Sequence, residues 1–300
     1  MKVLPATALC AALAAHGLRK NSLSVDGAVA AVIVGFITFV CSGDRDDFLF
    51  SGSLLGFYLL GSRATKFKQE RKKELEEDFQ VGGQRNAIQV LANGLTGTII
   101  CALHFYLVRI QGEASTVCFG DVKGAGLLHT AAVLAYLGHY ACCCGDTLAS
   151  ELGILNQGDP WLITTGKRVP RGTNGGISPL GLAASVGGGV FVGIIGAIGL
   201  PWTEGCPGRA PYLTIVALSG AAGLVGSLID SMLGATLQKS VYNARTKKIT
   251  SDFRQLRKGE KAEDLVHVSG KAILDNHQVN AISSLLTAVF TAAIGVYWYT

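Results

Sequence analysis

Asp146 and Glu151, five residues apart, open a polar stretch over residues 145–178. The same stretch carries Lys167, Arg168, Arg171 and the run Gly172-Thr173-Asn174-Gly175-Gly176. Carboxylates suit magnesium, a hard cation that takes one or two of them and leaves room for substrate phosphates. At a helix end, Asp146 and Ser150 share a face with Glu151 at its flank, which gives a partial shell for such an ion. Guanidinium and ammonium groups suit phosphate oxygens, and glycines let backbone N–H groups approach an anion closely. A helix beginning at Ile177 would aim further N–H groups into the loop. The combination predicts phosphate chemistry. No G-x-x-x-x-G-K-[ST] occurs, so the loop is not a P-loop. The plainer accounts are carboxylates solvated at a helix end and a basic loop drawn to anionic lipid headgroups. The six histidines are scattered without zinc-site spacing.

The elements that must position these groups are apolar. Of 300 residues, 49% are hydrophobic and 16% charged, with a mean hydropathy of +0.38. Soluble domains carry nearer a quarter charged residues. Eight apolar segments can be read, at 1–18, 25–41, 48–61, 88–108, 125–144, 177–201, 211–237 and 279–299; the first and third are short. The 39 glycines let such helices approach closely. The expected fold is all-α, a polytopic transmembrane bundle of about eight helices forming one integral membrane domain over residues 1–300. A competing reading makes residues 1–18 a cleaved signal peptide, with Lys2 as its charged start.

Charge sets the orientation. The connections after segments one, three, five and seven hold 2, 7, 3 and 9 lysines plus arginines; those after two, four and six hold 1, 2 and 1. Positive charge stays on the cytosolic side during insertion, so cytosolic loops are expected at 62–86, 145–176 and 239–277. Every polar group of interest then falls on one face. Asp230 lies toward that end of segment seven, Asp275 opens segment eight, and Arg85 with Asn86 opens segment four. A charge inside a membrane segment is costly and counts as functional by default, which singles out Asp230. Residues 63–85 alternate in sign and read as a salt-bridged surface helix that covers the site; residues 239–271 read the same way, with partial disorder.

Most of the eight cysteines fall in apolar segments and read as small buried hydrophobes. Cys142, Cys143 and Cys144 sit where segment five ends, a position suited to S-palmitoylation. Cys118 and Cys206 fall in loops on the non-cytosolic side and are placed to bridge.

Five motifs in order, GGQRNAIQVLANG, GDTLASELG, LITTGKRVPRGTNGGIS, GSLIDSMLGATLQ and GKAILDNHQVNAISS, resemble the domain-of-unknown-function 92 family, with the animal-type branch nearest. The resemblance runs from about residue 18 to 286. That family's plant branch includes a chloroplast kinase that converts phytyl monophosphate to the diphosphate with a nucleoside triphosphate. More remotely the layout is similar to dolichol kinases and CTP-using lipid cytidylyltransferases. The resemblance implies a magnesium-dependent phosphotransferase acting on a membrane-embedded prenyl or phytyl-type monophosphate, with CTP or ATP as co-substrate. It implies Asp146, Glu151, Asp230, Asp275 and Asn276 as metal ligands. Lys167, Arg168 and Arg171 would act with them in catalysis, and Gly172, Thr173, Asn174, Gly175, Gly176, Arg85 and Asn86 would bind phosphate or nucleotide. The alternatives are cytidylyl transfer to a lipid phosphate and a non-catalytic transporter. A transporter normally holds its polar site at the midplane, whereas these acidic groups lie toward one face. The expected partners are an isoprenoid lipid phosphate and membrane lipids, with no nucleic acid. The start of the chain does not read as a transit leader, so an endomembrane is expected rather than the plastid envelope.

Overall fold

The computed structural model describes residues 3–42, 47–68, 83–110, 118–121, 123–200, 211–250 and 261–299. Each apolar segment becomes a helix: α1 (Val3–Arg19), α2 (Val25–Cys41), α3 (Asp47–Lys66), α4 (Ala87–His104), α5 (Gly124–Gly153), α6 (Pro179–Gly199), α7 (Tyr212–Leu237) and α8 (Asn276–Tyr299). A six-residue π-helical turn, Phe105–Ile110, extends α4. Five of these, α4 with its extension and α5 to α8, are long and apolar enough to cross a membrane. The chain is an all-α polytopic membrane protein. At 17 residues each, α1 and α2 reach only about 25 Å.

Helix starts are set by polar caps. Ser24 accepts from the Gly27 amide, Ser178 accepts from Gly181 ahead of a helix that opens on Pro179, and Asn86 forms a reciprocal capping box with Gln89.

The core is built around α5. Its apolar span is 72% buried, against 28–39% for the other four. Tyr136, Leu137 and Tyr140 are fully enclosed, and the Tyr136 hydroxyl donates to the Phe50 carbonyl at 2.7 Å. The outer helices leave apolar faces exposed, as lipid contact requires.

Two small sheets sit among the connections. β1 (Trp161–Leu162) pairs antiparallel with β2 (Gly176–Ile177), and β3 (Ser240–Asn243) is flanked by β4 (Lys248–Thr250) and β5 (Leu265–Ser269). The charged 239–271 stretch is therefore partly sheet rather than the surface helix that its sign alternation predicted. Tyr242 and Val241 give it strand character, and β3 pairs across both its edges. The expected charged helix over 63–85 falls mostly on residues 69–82, outside the described residues.

The connections after α1, α3, α5 and α7 meet at one end. Arg85 exchanges backbone hydrogen bonds with Ser22 and Ser24, the Ser178 hydroxyl donates to the Gly153 carbonyl, the Asn174 amide donates to the Ser240 hydroxyl, and the Lys271 amide reaches the Thr236 carbonyl. The face that the charge count gathered is thus one physical surface.

The cysteines largely behave as buried hydrophobes. Cys142, Cys143 and Cys144 are at most 4% exposed, which removes them as palmitoylation sites: α5 continues nine residues beyond Cys144, so they lie inside the bundle and not at a membrane edge. Cys118 is disulfide-bonded; Cys206 lies outside the described residues.

Candidate functional site

The 145–178 stretch divides in two. Its first nine residues belong to α5, so Asp146 and Glu151 ride on a helix and not on a loop. Gly145 is what brings α5 close to its neighbours. A Cβ there would stand 2.7 Å from the Gly223 carbonyl and 2.9 Å from that of Ser185. The next residue, Asp146, consequently meets α7, where the Ser227 hydroxyl donates to its Oδ1 at 3.3 Å. Asp230 lies three residues past Ser227 on the same helix face and accepts from the Ser283 hydroxyl of α8 at 2.9 Å. The two carboxylates are near enough to act on each other's charge. Asp146 is seven residues from the end of α5, Asp230 seven from the end of α7, and Ser283 seven from the start of α8. All three therefore sit at a common depth, about 10 Å below the loop end. Two buried carboxylates that feel each other's charge repel unless a cation or a proton lies between them. Two carboxylates with hydroxyls behind them are a donor set that fits magnesium, which completes its octahedron with water and phosphate oxygens.

Arg85 occupies a second station. It precedes α4, and its Nη1 donates to the Ser62 hydroxyl of α3 at 3.0 Å. Its Nη2 lies against Gly61, whose other neighbour is Thr147, the residue after Asp146. Burial pulls the Arg85 guanidinium down from its ordinary value, while Glu151 and Tyr58 oppose that shift by favouring the cation. Even so it stays protonated at any physiological pH. Glu151 is near enough to Arg85 to favour its charge.

The second half of the stretch is a hairpin whose polar groups are largely used internally. Arg168 stacks on the Trp161 ring at 3.7 Å and donates to the Asp159 carbonyl. Arg171 pairs with Asp159 at 3.8 Å. Lys167 is exposed. Three of the five amides expected to cradle an anion are occupied: Thr173 N–H goes to Pro170, Asn174 N–H to Ser240 and Gly176 N–H to Thr173. Gly175 has a φ of +78°, and a Cβ there would come within 2.5 Å of the Ser231 carbonyl. The glycines let this loop press onto α7 one turn beyond Asp230. Gly172, also at positive φ, turns the chain.

Asp275 and Asn86 are helix caps. Asp275 Oδ1 accepts from Gln278 N–H at 2.8 Å, and Asp275 N–H donates to Gln278 Oε1 at 2.9 Å. Asn276 is the exposed first residue of α8. Among the described residues no group of three or more His, Cys, Asp or Glu side chains is placed to hold a metal. The structure brings together Asp146 and Asp230 from the expected set; Glu151, Asp275 and Asn276 stand elsewhere.

Ser227 and Ser283 escaped the sequence reading. A signal existed for Ser283: Asn280, Ser283, Ser284, Thr287 and Thr291 recur at three- and four-residue steps along an otherwise apolar α8, a polar stripe that must face protein.

Fold and site define a polytopic membrane protein with a paired-carboxylate centre near one membrane face. Residues 8–288 match the family described as "Integral membrane protein DUF92", and the chain belongs to that family. It is 35% identical to Protein PGR of Arabidopsis thaliana over 99% of this chain and 97% of that one. An uncharacterized membrane protein of Methanocaldococcus jannaschii is 29% identical, over 74% of this chain and 77% of its own length. Protein VTE6, chloroplastic, of Arabidopsis thaliana is 25% identical over 74% of this chain and 58% of its own. No solved structure matches.

Proposed function

We propose that the chain is a phosphotransferase that moves the γ-phosphoryl group of a nucleoside triphosphate, CTP or ATP, onto a membrane-embedded prenyl or phytyl-type monophosphate at the cytosolic face. The observation that carries this reading is the Asp146–Asp230 pair, held at one depth on three helices by Ser227 and Ser283. In the transfer, an oxygen of the lipid monophosphate attacks the γ-phosphorus, the bond to the β–γ bridging oxygen breaks, and the nucleoside diphosphate departs. An acceptor that is already a phosphate needs no strong base. Catalysis then falls to positioning and charge stabilisation. Asp146 and Asp230 would hold magnesium, which supplies charge neutralisation between the phosphates. Arg85 and Lys167 would meet phosphate oxygens, since Arg168 and Arg171 serve their own hairpin. The family resemblance supports the lipid and nucleotide classes. A centre two turns from one end, not at the midplane, argues against a transporter. We also assign the protein to an endomembrane.

The purified full chain in nanodiscs, given a prenyl monophosphate, magnesium and γ-labelled CTP or ATP, should yield labelled lipid diphosphate. Label appearing in the lipid only from α-labelled CTP would mean cytidylyl transfer. No labelled lipid from either nucleotide would overturn the proposal. Co-fractionation of the tagged chain with plastid envelope would overturn the endomembrane assignment.

A further inference from the structure

α1 to α4 line a pocket that the acidic pair does not use, with a cavity volume of about 100 Å³, partly open to the outside. Its walls are apolar, from Leu13 and Val34 to Phe39 and Leu54. The lining residues of α2, Ala31 to Phe39, cover about 12 Å along the helix. The pocket's polar groups are Tyr58, Arg85, Gln89 and Asn93. Gln89 and Asn93 belong to the first two turns of α4, and Arg85 precedes that helix, so three of the four sit toward the loop end. Phe39 lies near the far end of α2, and Leu54 lies in the half of α3 away from the loops. The pocket is therefore a greasy slot with a cation toward one end. That end adjoins the centre. Gly61 separates Arg85 Nη2 from Thr147, the neighbour of Asp146, and the Asn93 carbonyl receives the His139 ring nitrogen at 2.9 Å and the Cys143 thiol at 3.7 Å. Cys143 is one turn from Asp146.

We propose that this slot holds the hydrocarbon chain of a single-chain lipid monophosphate, with Arg85 gripping its phosphate. The proposal rests on the phosphotransferase reading for the chemistry after binding, but not for binding itself. A buried guanidinium offers a phosphate forked hydrogen bonds and complementary charge. Its apolar walls suit a hydrocarbon chain, and its partial opening lets the chain extend beyond the enclosed volume. The α3–α5 seam then sets the phosphate beside Asp146 while the chain stays among α1 to α4. This makes Arg85 a binding residue and Ala31 and Gly35 gauges of chain length.

The test uses the full chain in nanodiscs and two diazirine-bearing probes, a long isoprenyl monophosphate and the matching isoprenyl alcohol, without nucleotide or metal. Cross-links to α1, α2 and α3 lining residues are expected. Arg85→Gln should cut phosphate-probe labelling about tenfold or more, the usual size of a lost charge-assisted bond, and leave alcohol labelling unchanged. Arg85→Lys should recover part of it. Gly35→Leu should shift labelling from the long probe toward a short one; circular dichroism and melting of each variant check that it folds. Cross-links mapping to α7 or α8, or equal labelling of Arg85→Gln with the phosphate probe, would overturn the proposal. Asp146→Asn should still take up probe. Correct labelling without any diphosphate product would leave this site standing and sink the phosphotransferase reading, whereas product formed with labelling elsewhere would do the reverse.

Discussion

The two halves of the bundle are built to different rules. α5, α6 and α7 touch through glycine and serine, with Gly145 pressed on the backbones of Gly223 and Ser185, where an added side chain would meet backbone. α1 to α4 instead leave a slot lined by leucine, valine and phenylalanine. Dense packing fixes carboxylates to within a fraction of an ångström, which charge chemistry needs. A slot tolerates a flexible chain. The protein thus separates the part that must be exact from the part that must yield, and α5 belongs to both, Asp146 to one side and Thr147 to the other.

This contrast is open to attack. Gly145→Leu should do the most damage. It forces α5 off α7, separates Asp146 from Ser227, and should abolish transfer while costing about 3 kcal/mol, the upper range for overpacking, seen as a lower melting temperature in detergent. Next, Asp146→Asn keeps the shape and should lower kcat about a hundredfold or more with little change in melting, as removal of a charged catalytic group does. Full turnover by this variant would dissolve the distinction between the halves. Asp275 separates two roles: Asp275→Ala should lose about 1 kcal/mol of stability as a cap, and Asp275→Asn should restore it. If Asp275→Asn is instead inactive at unchanged melting, Asp275 belongs to the centre after all. The smallest effect is expected for Arg168→Ala, about 0.5–1 kcal/mol from an exposed cation–ring stack, with transfer measured under saturating substrate unchanged.

The apolar segments were legible because lipid exposure leaves long runs that composition alone reveals. The common face was legible because insertion charge is written in the loops. What composition could not show was where α5 stops. The helix runs past Cys144 to Gly153 because nothing in GDTLASELG breaks it, although its polarity looks like a loop. The same polarity left two readings open at Arg168 and at Thr173 to Gly176, where glycines and cations that suit an anion also suit a tight hairpin docked on a helix. Asp230 was singled out by its cost in an apolar segment, and Asp146 by its place in the polar GDTLASELG run. Asp275 was grouped with them by type, and only its bond to Gln278 separates a cap from a ligand.

The length of α5 has one more consequence. Thirty residues make about 45 Å of helix, more than the roughly 30 Å of hydrocarbon in a bilayer. Its end therefore reaches the headgroup layer, and the carboxylates about 10 Å below it lie just beneath the lipid phosphates. In the proposed lipid reaction, the acceptor never leaves its monolayer. The relevant concentration is then a mole fraction in two dimensions. Adding inert phospholipid at constant bulk substrate should slow the enzyme by surface dilution, while diluting the whole vesicle suspension should not.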